Sequence, residues 1–245
     1  MKYMGSKSAI AKHIIPIICK NRRAGQFYVE PFVGGCNSID KVFGKRIGGD
    51  INKYLIAFWK RVQQGWLPPQ DISREHYSDV RDSYNRQTED YPDFYKGYVG
   101  FNGSYGGRFF DGGYAGTVTT KIGTTRNYPF EAFQNVASQI PRIHGIEFHC
   151  CSYEQLPIPD GSIIYCDPPY ANTKKYKTDG LNYSAFWEWC RQKHAQGHSV
   201  FVSEYEAPDD FRCVWEREIS SSLRANGVIE GNKTSFERLF VKEAI

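Results

Sequence analysis

Ser162-Ile163-Ile164-Tyr165-Cys166-Asp167-Pro168-Pro169-Tyr170 is the stretch whose reading decides the fold. Its first five residues make a short apolar run of the kind found in buried strands. A carboxylate, two prolines and an aromatic follow at once, which predicts a stiff loop at the strand end. Each proline fixes its own φ and biases the residue before it away from helix. The Asp167 carboxylate, the Pro168 carbonyl and the Tyr170 ring are thereby expected at set positions. Such a loop suits one chemical problem. The exocyclic amine of a nucleobase is a poor nucleophile, because its lone pair is delocalised into the ring. Two acceptors, Asp167 and the Pro168 carbonyl, can take both N–H hydrogens and draw the nitrogen toward tetrahedral geometry while Tyr170 stacks on the base. Taken alone, the same four residues also fit a plain strand end followed by a proline turn.

Upstream, Gln26-Phe27-Tyr28-Val29-Glu30-Pro31-Phe32-Val33-Gly34-Gly35-Cys36-Asn37-Ser38 reads as a strand entering a glycine turn, with a helical stretch expected after it through Val42-Phe43. Glycines between strand and helix let backbone approach a bound ligand closely, as nucleotide-type cofactors require. The turn is not a G-x-G-x-x-G, and no G-K-[ST] follows, which speaks against a dinucleotide fingerprint and a P-loop. A second short strand, Arg46-Ile47-Gly48-Gly49, ends at Asp50, twenty residues beyond Glu30. At that distance an acid can accept the ribose hydroxyls of an adenosine cofactor. The alternative is an Asp capping the helix predicted over 53–62. At the start, Tyr3-Met4-Gly5-Ser6-Lys7 leads into an amphipathic helix closed at or shortly after Pro16. A capped helix start with Lys7 beside it is a ready carboxylate site, or simply a solvent-facing lysine.

Residues 64–142 break the alternation of strand and helix. A helical patch is expected over 75–85, and then glycines and aromatics interleave from Gly97 to Tyr114. This reads as a compact, loop-rich insert, with Asn102, Arg108, Lys121 and Arg126 as candidate DNA contacts. A structural lid packing its own aromatics is the competing reading. After Tyr170, Lys174 and Lys175 sit in a cationic loop that would meet phosphate beside a base-binding site. Further on, a helix is expected over 183–195 and a strand over 199–203. The strands over 213–219 and 235–241 are expected to form an antiparallel edge hairpin.

Composition sets the outer bounds. The 245 residues suffice for one α/β domain carrying an insert, and a net charge of +4 leans toward a polyanionic partner. Seven cysteines without a C-x-x-C pair point to a reduced interior, and His194 and His198 flank a helix-ending Gly197, so no metal site is expected. No apolar run reaches membrane-span length, and informative sequence from Lys2 onward leaves no room for a secretory leader; the cytosol is the expected compartment.

Tyr3-Met4-Gly5-Ser6-Lys7, Val29-Glu30-Pro31-Phe32-Val33-Gly34-Gly35, Asp50-Ile51-Asn52 and Tyr165-Cys166-Asp167-Pro168-Pro169-Tyr170 occur in that order, and together they resemble the Dam-type (D12 class) DNA N6-adenine methyltransferases. The resemblance covers nearly the whole chain. It implies a Rossmann-like α/β methyltransferase fold, mostly parallel with an antiparallel edge hairpin. It also implies a catalytic domain over 1–63 and 143–245, with a target-recognition insert over 64–142. From the family follow S-adenosyl-L-methionine as methyl donor, an adenine flipped out of double-stranded DNA as substrate, and a cytoplasmic bacterial or phage setting. A cognate restriction endonuclease acting separately is compatible with it. Tyr3 and Lys7 match opening positions that contact cofactor, and Asp50 matches the ribose acceptor. Glu30, Pro31, Phe32 and Gly34 match the glycine-loop motif, and Asp167 matches the acid shared by catalysis and cofactor. Where the family commonly has a second glycine, this chain has Cys36, and its insert diverges enough that no recognition sequence is carried over. Cytosine N4, an RNA base or a protein glutamine remain alternative amines, and a non-catalytic nucleic-acid-binding protein is the alternative class.

Overall fold

A computed structural model of the chain describes residues 1–120, 123–170, 180–220 and 234–243. Its first strands are β1 (Tyr28–Glu30), β2 (Arg46–Asp50), β3 (Thr117–Thr119), β4 (Thr125–Asn127) and β5 (Ile146–Cys150). Then come β6 (Ile163–Cys166), β7 (Ser199–Glu204), β8 (Phe211–Ser220) and β9 (Thr234–Lys242). The helices are α1 (Ala11–Ile18), α2 (Lys53–Gln63), α3 (Arg74–Arg86), α4 (Asp93–Asn102), α5 (Tyr128–Ile143) and α6 (Tyr183–Ala195).

Seven strands form one sheet in the order β5-β2-β1-β6-β7-β9-β8. The pairs from β5 through β7 are parallel, and β9 runs antiparallel between β7 and β8. From β1 the chain works outward to β2 and β5, then returns to lay β6 on the other side of β1. The strand order therefore reverses between β1 and β6. In open α/β sheets the crevice beyond the carboxyl ends of the strands at such a reversal is where ligands bind.

The unbroken apolar run in β6 has a simple cause. Ile163 and Tyr165 join the core cluster that holds Ile14 and Ile18 of α1 with Leu55 and Trp59 of α2, while Ile164 and Cys166 join the cluster of Phe186 and Cys190 of α6. A parallel strand covered on both faces has no polar side to show. The expected boundaries of α6 are met, and the edge hairpin of β8 and β9 is present, with a bulge between Cys213 and Trp215.

Two expectations are corrected. The helix foreseen after the glycine turn is only a 3₁₀ turn, Ile39–Lys41, because Gly34 and Cys36 take positive φ and hold the preceding backbone in a loop. The glycine-rich segment from Gly97 to Asn102 is the second half of α4 and not a loop. Glycine inside a helix costs about 1 kcal/mol against alanine. Here it permits contact: a Cβ on Gly97 would lie 2.2 Å from the Tyr54 carbonyl oxygen, and one on Gly100 2.5 Å from the Phe109 ring. Helix α4 thus lies directly against α2, and Tyr98, Val99 and Phe101 share a core cluster with Ile14 and Trp59. Among the described residues, no helix is long and apolar enough to cross a membrane.

Candidate active site

Asp167 follows β6 directly, at the reversal point of the sheet. The 3₁₀ turn Lys7–Ala9, started by Ser6 accepting the Ser8 N–H, brings Lys7 over it. Lys7 is 5% exposed; its Nζ lies 3.1 Å from Asp167 Oδ1 and 3.3 Å from Glu237 Oε2. The same ammonium sits 4.2 Å from the centroid of the Tyr170 ring. The Tyr170 hydroxyl donates to Glu237 Oε2 at 2.6 Å, and the ring meets Tyr205 edge-on at 4.6 Å. The Tyr183 hydroxyl, from the first turn of α6, donates to the Pro169 carbonyl. Asp167, Lys7 and Tyr170, expected from sequence, are therefore together. Glu237, Tyr205 and Tyr183 were not foreseen, and β9 delivers the first of them from far along the chain.

The charges in this group are coupled. Burial pushes the Asp167 carboxyl up to about 6; Lys7 pulls it back, and the like charge of Glu237 adds to the rise. Burial works against the Lys7 ammonium, but Asp167 and Glu237 outweigh it and raise its pKa. The Asp167 side chain keeps 22% of its surface open, so a substrate amine can reach it.

Asp50, at the end of β2, marks a second centre. Its Oδ2 accepts the Gly34 N–H at 3.2 Å and its Oδ1 accepts the Asn52 N–H at 2.9 Å. Burial pushes this carboxyl up to about 6 as well, with the two backbone N–H groups pulling it down. Asn52, not Asp50, caps α2, accepting from Tyr54 and Leu55 N–H at 3.1 Å each. The capping alternative for Asp50 is thus excluded, and its oxygens keep lone pairs for further donors. Gly34 has φ +47°, and a Cβ there would meet the Tyr3 ring at 2.8 Å, so Tyr3 lies against the glycine loop. A loop of this closeness beside a carboxylate at the end of the strand next to β1 fits an adenosine-type cofactor.

The remaining expected positions divide. Glu30 is 3% exposed and accepts the Tyr28 hydroxyl at 2.8 Å; burial raises its carboxyl well above the usual range, which favours the neutral acid. Pro31 is buried beside it, and Phe32 stacks on Tyr153 with centroids 5.5 Å apart. Asn102, expected to touch DNA, is corrected: it ends α4 at 2% exposure, donates to the Tyr98 carbonyl, and turns no polar group to the surface. Arg108 is half-buried after the 3₁₀ turn Tyr105–Gly107. Arg126, exposed on β4, is held by both oxygens of Glu131 at 2.8 and 2.6 Å. Lys121, Lys174 and Lys175 lie outside the described residues.

The family model described as D12 class N6 adenine-specific DNA methyltransferase matches residues 3–210. Two curated relatives are the DNA adenine methylases of Vibrio cholerae serotype O1, from a classical Ogawa and an El Tor Inaba strain. Each is 26% identical over 261 residues, covering 95% of this chain and 90% of the relative.

Proposed function

The chain belongs to the D12 class of N6 adenine-specific DNA methyltransferases, and from that premise we propose that S-adenosylmethionine binds at the glycine loop and Asp50 while an adenine flipped out of duplex DNA is presented at Asp167. DNA adenine methylation is the activity of the family, and the relatives' names agree with it. The observation that carries the site assignment is the Asp167 carboxylate at the reversal of the sheet, partly open, with Tyr170 fixed beside it and Asp50 at the end of β2, one strand beyond β1.

The donor supplies a methyl group on a positively charged sulfur. This chain's residues do the rest by positioning and by charge. Asp50 would accept the ribose hydroxyls, and the Tyr3 ring with Gly34, Pro31 and Phe32 would shape the cradle. Glu30 supports the loop from below. Asp167 and the Pro168 carbonyl would accept hydrogen bonds from the two amine hydrogens, freeing the nitrogen lone pair for attack, and Tyr170 would stack on the base. Positive charge growing on the nitrogen is met by Asp167. No cysteine is needed as a nucleophile; Cys36, Cys166 and Cys190 are buried. The insert over 64–142 would read the target, with Arg108 and Arg126 facing phosphate, and 1–63 with 143–245 would carry the chemistry.

The test is to incubate plasmid DNA with the protein and labelled donor, digest to nucleosides and identify the labelled base. Label in N6-methyladenine is expected; label in N4-methylcytosine, or none in DNA, would overturn the assignment.

A further inference from the structure

Glu237 stands 67 positions beyond Tyr170 in sequence, yet it touches two members of the site. Register explains how it gets there. Strand β9 runs antiparallel to β7 with Arg238 opposite Glu204, so Glu237 enters level with Tyr205, at the edge where β1, β6 and β7 end. Side chains two apart on a strand share a face. Leu239 lies in the core cluster that contains α1, so Glu237 points to the face that carries the Lys7 turn.

Its carboxylate does two things there. It accepts the Tyr170 hydroxyl, which fixes the rotation of a ring that must lie flat on a base. It also shares the Lys7 ammonium with Asp167. Lys7 with Asp167 alone would carry no net charge; with Glu237 added, one positive and two negative charges leave the group with a net charge of −1. A net negative group stabilises a cation forming on the substrate nitrogen better than a neutral pair does.

We propose that Glu237 is a positioning residue for methyl transfer, locking Tyr170 through its hydroxyl and dividing the Lys7 charge so that Asp167 meets the substrate amine inside a net negative group. The proposal rests on the reading of this group around Asp167 as the site of adenine methylation. The groups in electrostatic reach of Asp167 are Lys7, Glu237, Glu30 of β1, Tyr165 and Cys166 of β6 and Tyr170 of its own loop. Burial favours the neutral forms of Glu30, both tyrosines and the thiol, so Lys7 and Glu237 set the local field.

The experiment is single-turnover methylation of duplex DNA at saturating donor across a pH series, for wild type, Glu237→Gln, Glu237→Ala, Tyr170→Phe and the Glu237→Ala/Tyr170→Phe double variant. Donor affinity and melting temperature are measured alongside. Glu237→Ala is expected to slow transfer about tenfold, the worth of a hydrogen bond to a charged group, with donor affinity unchanged. Glu237→Gln keeps an acceptor for Tyr170 but removes the charge, so the acid limb of the rate profile moves to lower pH. The double variant should be no slower than Glu237→Ala alone, because both changes break one linkage. A wild-type rate in Glu237→Ala, an unmoved acid limb in Glu237→Gln, or additive losses in the double variant would each overturn the proposal. If Glu237→Ala fails to fold, the Glu237→Gln profile decides. A wild-type protein that leaves DNA unmethylated sinks the functional reading instead, which keeps the two failures apart.

Discussion

Two carboxylates at strand ends reach the same electrostatic condition by different construction. Asp50 and Asp167 are both pushed to about 6 by burial. Asp50 is held by backbone N–H groups of Gly34 and Asn52, within 16 residues of it. Asp167 is held by the side chain of Lys7, which is itself shared with Glu237. Backbone donors are fixed by the course of the chain and survive most substitutions; a bridge of side chains from the first turn and the last strand does not. The surroundings of Asp50 are therefore preformed by local structure, and those of Asp167 are assembled by tertiary structure.

The strongest test of that contrast is Asp167→Ala. Methylation should fall by about a thousandfold or more, the scale of removing a principal stabilising group from a reacting centre, with the melting temperature little changed because Lys7 keeps Glu237. A folded, active Asp167→Ala protein would break the assignment. Next, Asp50→Ala should weaken donor binding about 10- to 100-fold, as expected for lost hydrogen bonds to a charged acceptor, while transfer at saturating donor stays near wild type. Calorimetry beside single-turnover rates separates the two; an equal loss in both would mean that the two carboxylates are not independent. Third, acid should switch the enzyme off. Because the native Asp167 pKa is raised to about 6, the ionised acceptor is present above that pH and lost as pH falls through it. The limiting slope is tenfold per pH unit for one proton. Donor binding should weaken over the same window through Asp50, measured separately by titration calorimetry. The smallest effect is expected for Cys36→Gly. Cys36 sits at φ +54° in the glycine loop, where a non-glycine residue costs about 1–2 kcal/mol. Glycine relieves that cost but removes a buried side chain, so stability by denaturant titration should shift by only about 1 kcal/mol, with donor affinity unchanged. A large loss of affinity would show that the thiol itself shapes the cradle.

Legibility in the sequence follows the same division. Strand β6 with its loop was readable because burial on both faces writes an unbroken apolar run and prolines write stiffness. Asp50 was placed at a strand end by its spacing from Glu30, and Asn52 takes the capping role that was its alternative. Helix α4 was not readable: Gly97 and Gly100 look like breakers locally, and their reason lies in the Tyr54 carbonyl and the Phe109 ring. Asn102 misled for a related cause, since a polar residue in a glycine-rich run reads as exposed until the helix it ends is known to be buried. Glu237 could be assigned to a strand by pattern, but no local signal says that its face meets Tyr170.

Strand β8 closes the sheet at the end opposite β5, and among the described residues no strand lies outside it. Ten residues of open ladder would be a template on which a second molecule could lengthen the sheet. Arg212, Glu216, Arg217 and Glu218 are exposed along it, and the bulge between Cys213 and Trp215 throws its hydrogen-bonding groups out of step. An incoming strand would have to strip water from those charges and match an interrupted ladder. The rim of the molecule farthest from β5 is thereby guarded against polymerising into ribbons, even though it ends a long hairpin.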